Sequence, residues 1–304
     1  SLTVVLEEGQ REQWFESHLI VYLSLLTAGG LALILVGQLT AKQPIVRLRL
    51  LLNKNYASVI LIVTTVGAGV YGVSYLLPQF LATIAGYNAE QAGGIMLLSG
   101  LPAFLLMPVL PRMLGKFDSR WLVISGLVCF FASCMLDIGL TVDSVGHDFY
   151  ASQILRGFGQ ILAMMPLNQA SMAAVATHEA GDAAGLYNMA RNLGGSIGLA
   201  LLGTLIDRRN AYHDSVIRES VTANSAIGQE HMTSSIASFM AQGGDYAHAQ
   251  LQAIAQLSGQ IARQAAVMTF SETFFALGVA LLLCVPLALL LKPPRPGAPI
   301  STGH

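Results

Sequence analysis

Long runs of apolar residues, separated by short polar connections, organise this chain. A helix rises about 1.5 Å per residue, so crossing a hydrocarbon core of about 30 Å takes roughly 20 apolar residues. Seven segments meet that length, approximately 18 to 38, 56 to 77, 91 to 110, 121 to 140, 149 to 176, 183 to 206 and 266 to 291. The first three contain no Asp, Glu, Lys or Arg, and the last four carry Asp137, Arg156, Arg191 and Glu272. The pattern predicts an all-α protein that crosses a membrane seven times.

The connections sort by charge. One side carries Lys42, Arg47, Arg49 and Lys54, then Arg112, Lys116 and Arg120, then Lys292 and Arg295, whereas 78 to 90 and 141 to 148 hold no Lys or Arg. Basic residues accumulate in short cytoplasmic loops, so the C-terminus is expected inside and the N-terminal segment outside. The long connection 207 to 265 contains Arg208, Arg209, Arg218 and Arg263 and is expected outside, because long segments translocate largely regardless of charge. Within it Leu251, Ile254, Leu257 and Ile261 recur at three- and four-residue spacing, which predicts a helix leading into the last span. Its apolar face either packs on neighbouring spans or docks an external partner.

Composition narrows the class. Of 304 residues, 54% are hydrophobic and 11% charged, with a mean hydropathy of +0.59. A net charge of -1 leaves no basic surface for nucleic acid. Cys129, Cys134 and Cys284 lie in apolar runs with no zinc spacing, and His213, His231 and His248 in the long connection fit no metal motif. HExxH and GxxxxGK are absent, and Gly194-Gly195-Ser196-Ile197-Gly198, which fits GxSxG, lies within an apolar span rather than on a strand-to-helix turn, so no enzyme chemistry and no cofactor is expected. Ser1 opens directly onto a short amphipathic stretch, without an initiator Met or signal peptide, and the expectation is a piece of a longer protein.

Ionisable groups inside spans are costly in hydrocarbon unless they meet a partner or water. Counted from the nearer ends, Arg156 and Arg191 lie roughly 12 Å deep and should face the bundle interior. Each serves either transport or structure, Arg191 in the latter case pairing with Glu179 or Asp182 or capping carbonyls. Asp137 and Glu272 lie nearer the external ends, and Asp137 reads as an interfacial carboxylate reached by water. Glu272, beside Phe270, Phe274 and Phe275, is a candidate to meet a lipophilic cation or a proton. The glycines Gly194, Gly195 and Gly198 form a GxxxG step that permits close helix packing. Pro102, Pro108, Pro166 and Pro286 also interrupt spans, which neighbouring helices must accommodate.

Two stretches carry a family resemblance. Leu76-Leu77-Pro78-Gln79-Phe80-Leu81 with Gly86-Tyr87 and Gln91-Ala92-Gly93 resembles the 14-span drug:proton antiporters of the EmrB/QacA type within the major facilitator superfamily. So does Asn188-Met189-Ala190-Arg191-Asn192-Leu193-Gly194-Gly195-Ser196-Ile197-Gly198, which is similar to the family's Asn-x-x-Arg-x-x-Gly-Gly-Ser-x-Gly signature. Glu8-Gly9 with Trp14-Phe15 is similar to the external loop after the family's seventh span. The resemblance covers essentially the whole chain.

It implies a major facilitator fold of which this chain supplies the C-terminal six-helix domain and one preceding linker span. The implied organisation is residues 1–55 for the external segment, linker helix and cytoplasmic loop, 56–291 for the six-helix domain with its external loop 207–265, and 292–304 for a cytoplasmic tail. It further implies export of lipophilic small molecules in exchange for protons, through a midplane site between two rocking domains of a bacterial inner-membrane protein. Arg156, Arg191, Glu272 and Asn188 become candidates for the substrate or proton pathway. The long external loop resembles that of members working with a periplasmic adaptor and an outer-membrane channel. The segment Pro108 to Arg120 looks like the facilitator loop motif, but Pro111 stands at its first glycine, leaving Asp118 and Arg120 as a candidate gating ion pair. The family's main proton-coupling motifs belong to its N-terminal domain, outside this chain. A non-transporting sensor or scaffold on the same fold remains the alternative.

Overall fold

A computed structural model of the chain describes residues 2, 4–5, 17–40, 48–221, 226–241 and 245–291. Glu8, Gly9, Arg11, Trp14, Phe15, Lys42, Arg47, Lys292 and Arg295 therefore lie outside the described residues. The helices are α1 (His18–Thr40), α2 (Lys54–Thr83), α3 (Ala89–Leu97), α4 (Leu101–Leu106), α5 (Leu110–Lys116), α6 (Ser119–Leu136), α7 (Tyr150–Ala173), α8 (Ala180–Ser220), α9 (Ala226–Ala241), α10 (Tyr246–Leu283) and α11 (Val285–Leu289). Among the described residues there is no strand.

Each apolar segment of the sequence is helical, and among the described residues five helical stretches are long and apolar enough to cross a membrane: 54–83, 89–106, 119–139, 180–220 and 246–289. Helix α7 is not among the five, because Ser152, Gln153, Arg156, Gln160, Asn168, Gln169 and Ser171 dilute its apolar character.

Local chemistry sets the helix ends. Asn53 caps α2, accepting from the Asn55 amide at 3.1 Å, and its side-chain amide donates to the Ala174 carbonyl at 2.9 Å. Asn88 and Gln91 form a reciprocal capping box at the start of α3, with bonds of 2.8 and 3.0 Å. The third apolar segment is not one rod. Pro102 lacks an amide hydrogen and crowds the carbonyl four residues back, so the chain passes through a 3₁₀ turn at Leu98–Gly100 before α4. The helix then stops at Leu106, and Pro111 sits in the first turn of the separate α5, where its missing donor costs nothing.

Two helix pairs make the core. α2 packs along α8 and α6 along α7, and α10 touches both pairs through α8 and α6. The pairs are close because glycines face backbone. Gly194 sits on the Thr64 backbone, Gly198 on Ala68, and Gly67 on the Arg191 carbonyl, leaving no room for a Cβ at these positions. Gly126 and Gly159 do the same between α6 and α7. At one end of the bundle Phe80 meets Phe149 and Phe270 edge-on, with centroids 5.7 and 5.5 Å apart.

The connection 207 to 265 is mostly helix rather than loop. α8 has 41 residues and α10 has 38. At about 1.5 Å per residue each runs roughly 60 Å, twice the hydrocarbon thickness, so both continue past the membrane and α9 packs on α10 there. The Arg218 guanidinium bonds Asp214 one turn back at 2.7 Å and Ser258 across the pair at 3.3 Å. The apolar stripe expected on this stretch divides: Ile261 is buried, whereas Leu251 and Ile254 are exposed.

Candidate functional site

The two carboxylates at the extension end of the spans have different surroundings. Asp137 ends α6 in a short 3₁₀ turn, and Arg156 lies nearly two turns into α7. The Arg156 Nη2 group donates to Asp137 Oδ2, and the two residues are 5% and 1% exposed. The expectation of an interfacial Asp137 is therefore corrected. Water does not reach this carboxylate, because α7 and α10 pack over the end of α6. The Ser152 hydroxyl, also bonded to the Phe149 carbonyl at 3.1 Å, and the buried Cys134 complete its surroundings. Arg156 Nε and Nη1 and the Gln153 side-chain nitrogen are buried without an acceptor among the described residues.

Glu272 is met from α8. Arg209 grips both carboxylate oxygens through Nε and Nη2, and His213 Nε2 lies 3.2 Å from Oε2. Arg209 and Glu272 are 37% and 39% exposed, and the Arg209 guanidinium also lies 4.9 Å from the centre of the Tyr212 ring. The neighbouring aromatic residues do not enclose the carboxylate. Phe270 and Phe274 are buried in the core, and Phe275 is exposed.

Glu272 lines a cavity of about 330 Å³ with Ile138, Thr141, Val142, Met268 and Ser271, and Asp137 directly precedes the lining residue Ile138 in the chain. Across it the Ser271 hydroxyl donates to the Ile138 carbonyl at 2.8 Å. Asp137 and Glu272 are thus each one residue away from the same hydrogen bond.

A second polar region lies near the middle of α8. Arg191 is half-buried beside Tyr187. Asn188 and Asn192 are exposed on one face of the helix, one turn apart. The Asn188 side chain donates to the Ala184 carbonyl at 3.0 Å, and Tyr71 of α2 donates to the Asn192 side-chain oxygen at 3.4 Å. Gly195 lies against the Tyr71 ring, which fixes that phenol beside Asn192. At the opposite end of the bundle Asp118 caps α6, accepting from the Arg120 amide at 3.0 Å, and the Arg120 Nε lies 3.9 Å from its carboxylate.

Sequence reasoning named Arg156, Arg191, Asn188 and Glu272 as candidates, read Asp137 as interfacial, and gave Gln153, Arg209, His213, Tyr71 and Asn192 no part in a site. One signal for Asp137 was present. Asp137 and Arg156 have opposite charge and lie in consecutive spans joined by one short loop.

Comparison with known proteins adds a family to this geometry. The family model described as Major Facilitator Superfamily matches residues 7–199, more than half of the chain. The chain belongs to the Major Facilitator Superfamily. It is 28% identical over 297 residues to the multidrug export protein EmrB of Escherichia coli strain K12, covering 97% of this chain and 56% of that protein. It is 26% identical over 286 residues to the colistin resistance protein EmrB of Acinetobacter baumannii, covering 91% of this chain and 56% of that one. With the fatty acid resistance protein FarB of Neisseria gonorrhoeae the identity is 28% over 295 residues, covering 97% and 56%. The chain thus spans a little over half the length of these curated relatives. As a facilitator with several helices long and apolar enough to cross a bilayer, it is a multi-pass membrane protein.

Proposed function

We propose that this chain is the C-terminal part of a multidrug efflux transporter, exporting lipophilic small molecules in exchange for protons by alternating access. The observation that carries this reading is the polar face formed by the exposed Asn188 and Asn192 beside the half-buried Tyr71. Asn192 lies about two and a half turns past Ala183, roughly 14 Å along a span whose membrane is about 30 Å thick. An amide at that depth is unfavourable against lipid, so this face belongs to an interface or a wetted cavity. In a facilitator the missing cover is a second six-helix domain, with the substrate held between the two. The names of the relatives, multidrug export and resistance to colistin or fatty acids, support apolar and amphipathic cargo.

On this reading α1 is the linker span, residues 56–291 form the six-helix domain in the inner membrane, and the tail lies in the cytoplasm. The extension of α8, α9 and α10 then stands outside the membrane, where its exposed Leu251 and Ile254 suit a periplasmic adaptor leading to an outer-membrane channel. Asp118 and Arg120 act at the cytoplasmic end as a gating pair.

The test is efflux of a lipophilic dye by the complete transporter in energised vesicles. Arg191→Ala and Asn192→Leu are expected to lower efflux while membrane insertion stays intact. Unchanged efflux in both removes this face from the mechanism, and a sensor or scaffold shows no gradient-dependent dye movement even in the unmutated protein.

A further inference from the structure

The Asp137–Arg156 pair is built in a way that a purely structural bridge does not require. Removing two charges from water costs several kcal/mol per ion, and the attraction offsets this only where the remaining donors and acceptors are satisfied. Here the guanidinium is satisfied on one side only: Nη2 meets Asp137, while the buried Nε and Nη1 find no acceptor among the described residues. The compensation of Arg156 therefore rests on one carboxylate. Glu272, which lines the neighbouring cavity, is committed to Arg209 and His213.

Of this pair only Asp137 changes charge in the accessible pH range, since arginine stays protonated. A proton on Asp137 leaves a cation, 5% exposed, with no anion beside it. That state is unfavourable in the present packing and is relieved when α6 and α7 shift or water enters between them. The route for the proton lies next to the pair: Ile138, Leu140 and Thr141 follow Asp137 in the chain and line the cavity of about 330 Å³ at the extension end. Five kinds of group surround the carboxylate from the elements packed on it. They are Cys134 on its own helix, Arg156 and Ser152 on α7, Ser271 on α10 through the Ile138 carbonyl, and beyond it Glu272 with Arg209 and His213 of α8. The turn 146–149 adds only the exposed His147 and Asp148, paired at 3.4 Å.

We propose that Asp137 is a proton-carrying residue of the transport cycle, with Arg156 as the group that makes its protonation change the conformation. The carboxylate takes a proton once the packing over it opens toward the cavity, the ion pair separates, and the proton leaves when the pair re-forms. One O–H bond forms and later breaks, and no electrons are transferred. A proton site then exists in this half of the protein, in addition to any in the other domain. The inference rests on proton exchange as the driving reaction.

The experiment uses the complete transporter in lipid vesicles, with two readouts: dye efflux driven by a proton gradient, and dye-for-dye exchange at equal pH on both sides. Asp137→Asn keeps the shape but cannot ionise, and is expected to lose gradient-driven efflux and its pH dependence while exchange continues. Asp137→Glu is expected to keep driven efflux with a displaced pH profile. Driven efflux by Asp137→Asn with the unmutated pH profile overturns the proposal, and so does parallel loss of driven efflux and exchange, which marks a structural bridge. If Asp137→Asn does not accumulate in the membrane, the D137N/R156Q protein, with no buried charge left unpaired, decides by the same two readouts. Unmutated protein whose efflux ignores the proton gradient fails the underlying reading instead, a result separable from failure at Asp137 alone.

Discussion

Two ion clusters, each built on an acid near the extension end of a span, show how packing decides what a charge does. Asp137 and Arg156 are closed off from solvent, with one hydrogen bond between them and two guanidinium nitrogens unmatched. Glu272 has two partners, Arg209 through two bonds and His213 at 3.2 Å, and stays more than one-third exposed. The better-bonded cluster is the one that depends on its bonds less, because water screens it and can replace either partner. The poorly bonded cluster is the sensitive one, since nothing else stands ready to take the charge.

Removing one member of the dry pair is the sharpest test of this contrast. Arg156→Gln strands a buried carboxylate and Asp137→Ala a buried guanidinium, each expected to cost about 3–5 kcal/mol, read by thermal unfolding in detergent. Neutralising both, in D137N/R156Q, is expected to return most of that loss, because two uncharged amides carry no desolvation penalty of that size. A double variant as unstable as the singles breaks the comparison. Ser271→Ala cuts the hydrogen bond that joins the clusters across the cavity and is expected to cost about 1 kcal/mol. Glu272→Gln should move the melting temperature least, with an effect that shrinks further as salt is raised from low to physiological strength. A Glu272→Gln effect as large as that of Arg156→Gln, and independent of salt, shows that exposure is the wrong measure of the difference.

Much of the architecture was legible in the sequence because bilayer crossing imposes a length and a composition on each segment. All seven apolar runs are helical, and the expected helix ahead of the last span begins at Tyr246. The break within residues 91 to 110 was less legible, although Pro102, Pro108 and Pro111 are its physical cause. The site was legible only in part. Depth along a span can be counted, and it placed Arg156 inside. Burial at a span end cannot be counted, which is why Asp137 was assigned to water. Likewise Phe270 and Phe274 are neighbours of Glu272 in the chain but turn to the core, while its partners Arg209 and His213 come from another helix.

By itself, the sequence determined that this chain is helical, lives in a bilayer, and contains polar groups at depths where lipid does not tolerate them. These follow from hydropathy and helix rise, which are local properties. Only the tertiary structure decided which charges meet, which of them water reaches, and that α8 and α10 continue as a long helical extension. Those outcomes depend on residues far apart in the chain packing at glycine seams such as Gly67 with Arg191 and Gly126 with Gly159. Electrostatic strength in turn depends on how much solvent that packing excludes.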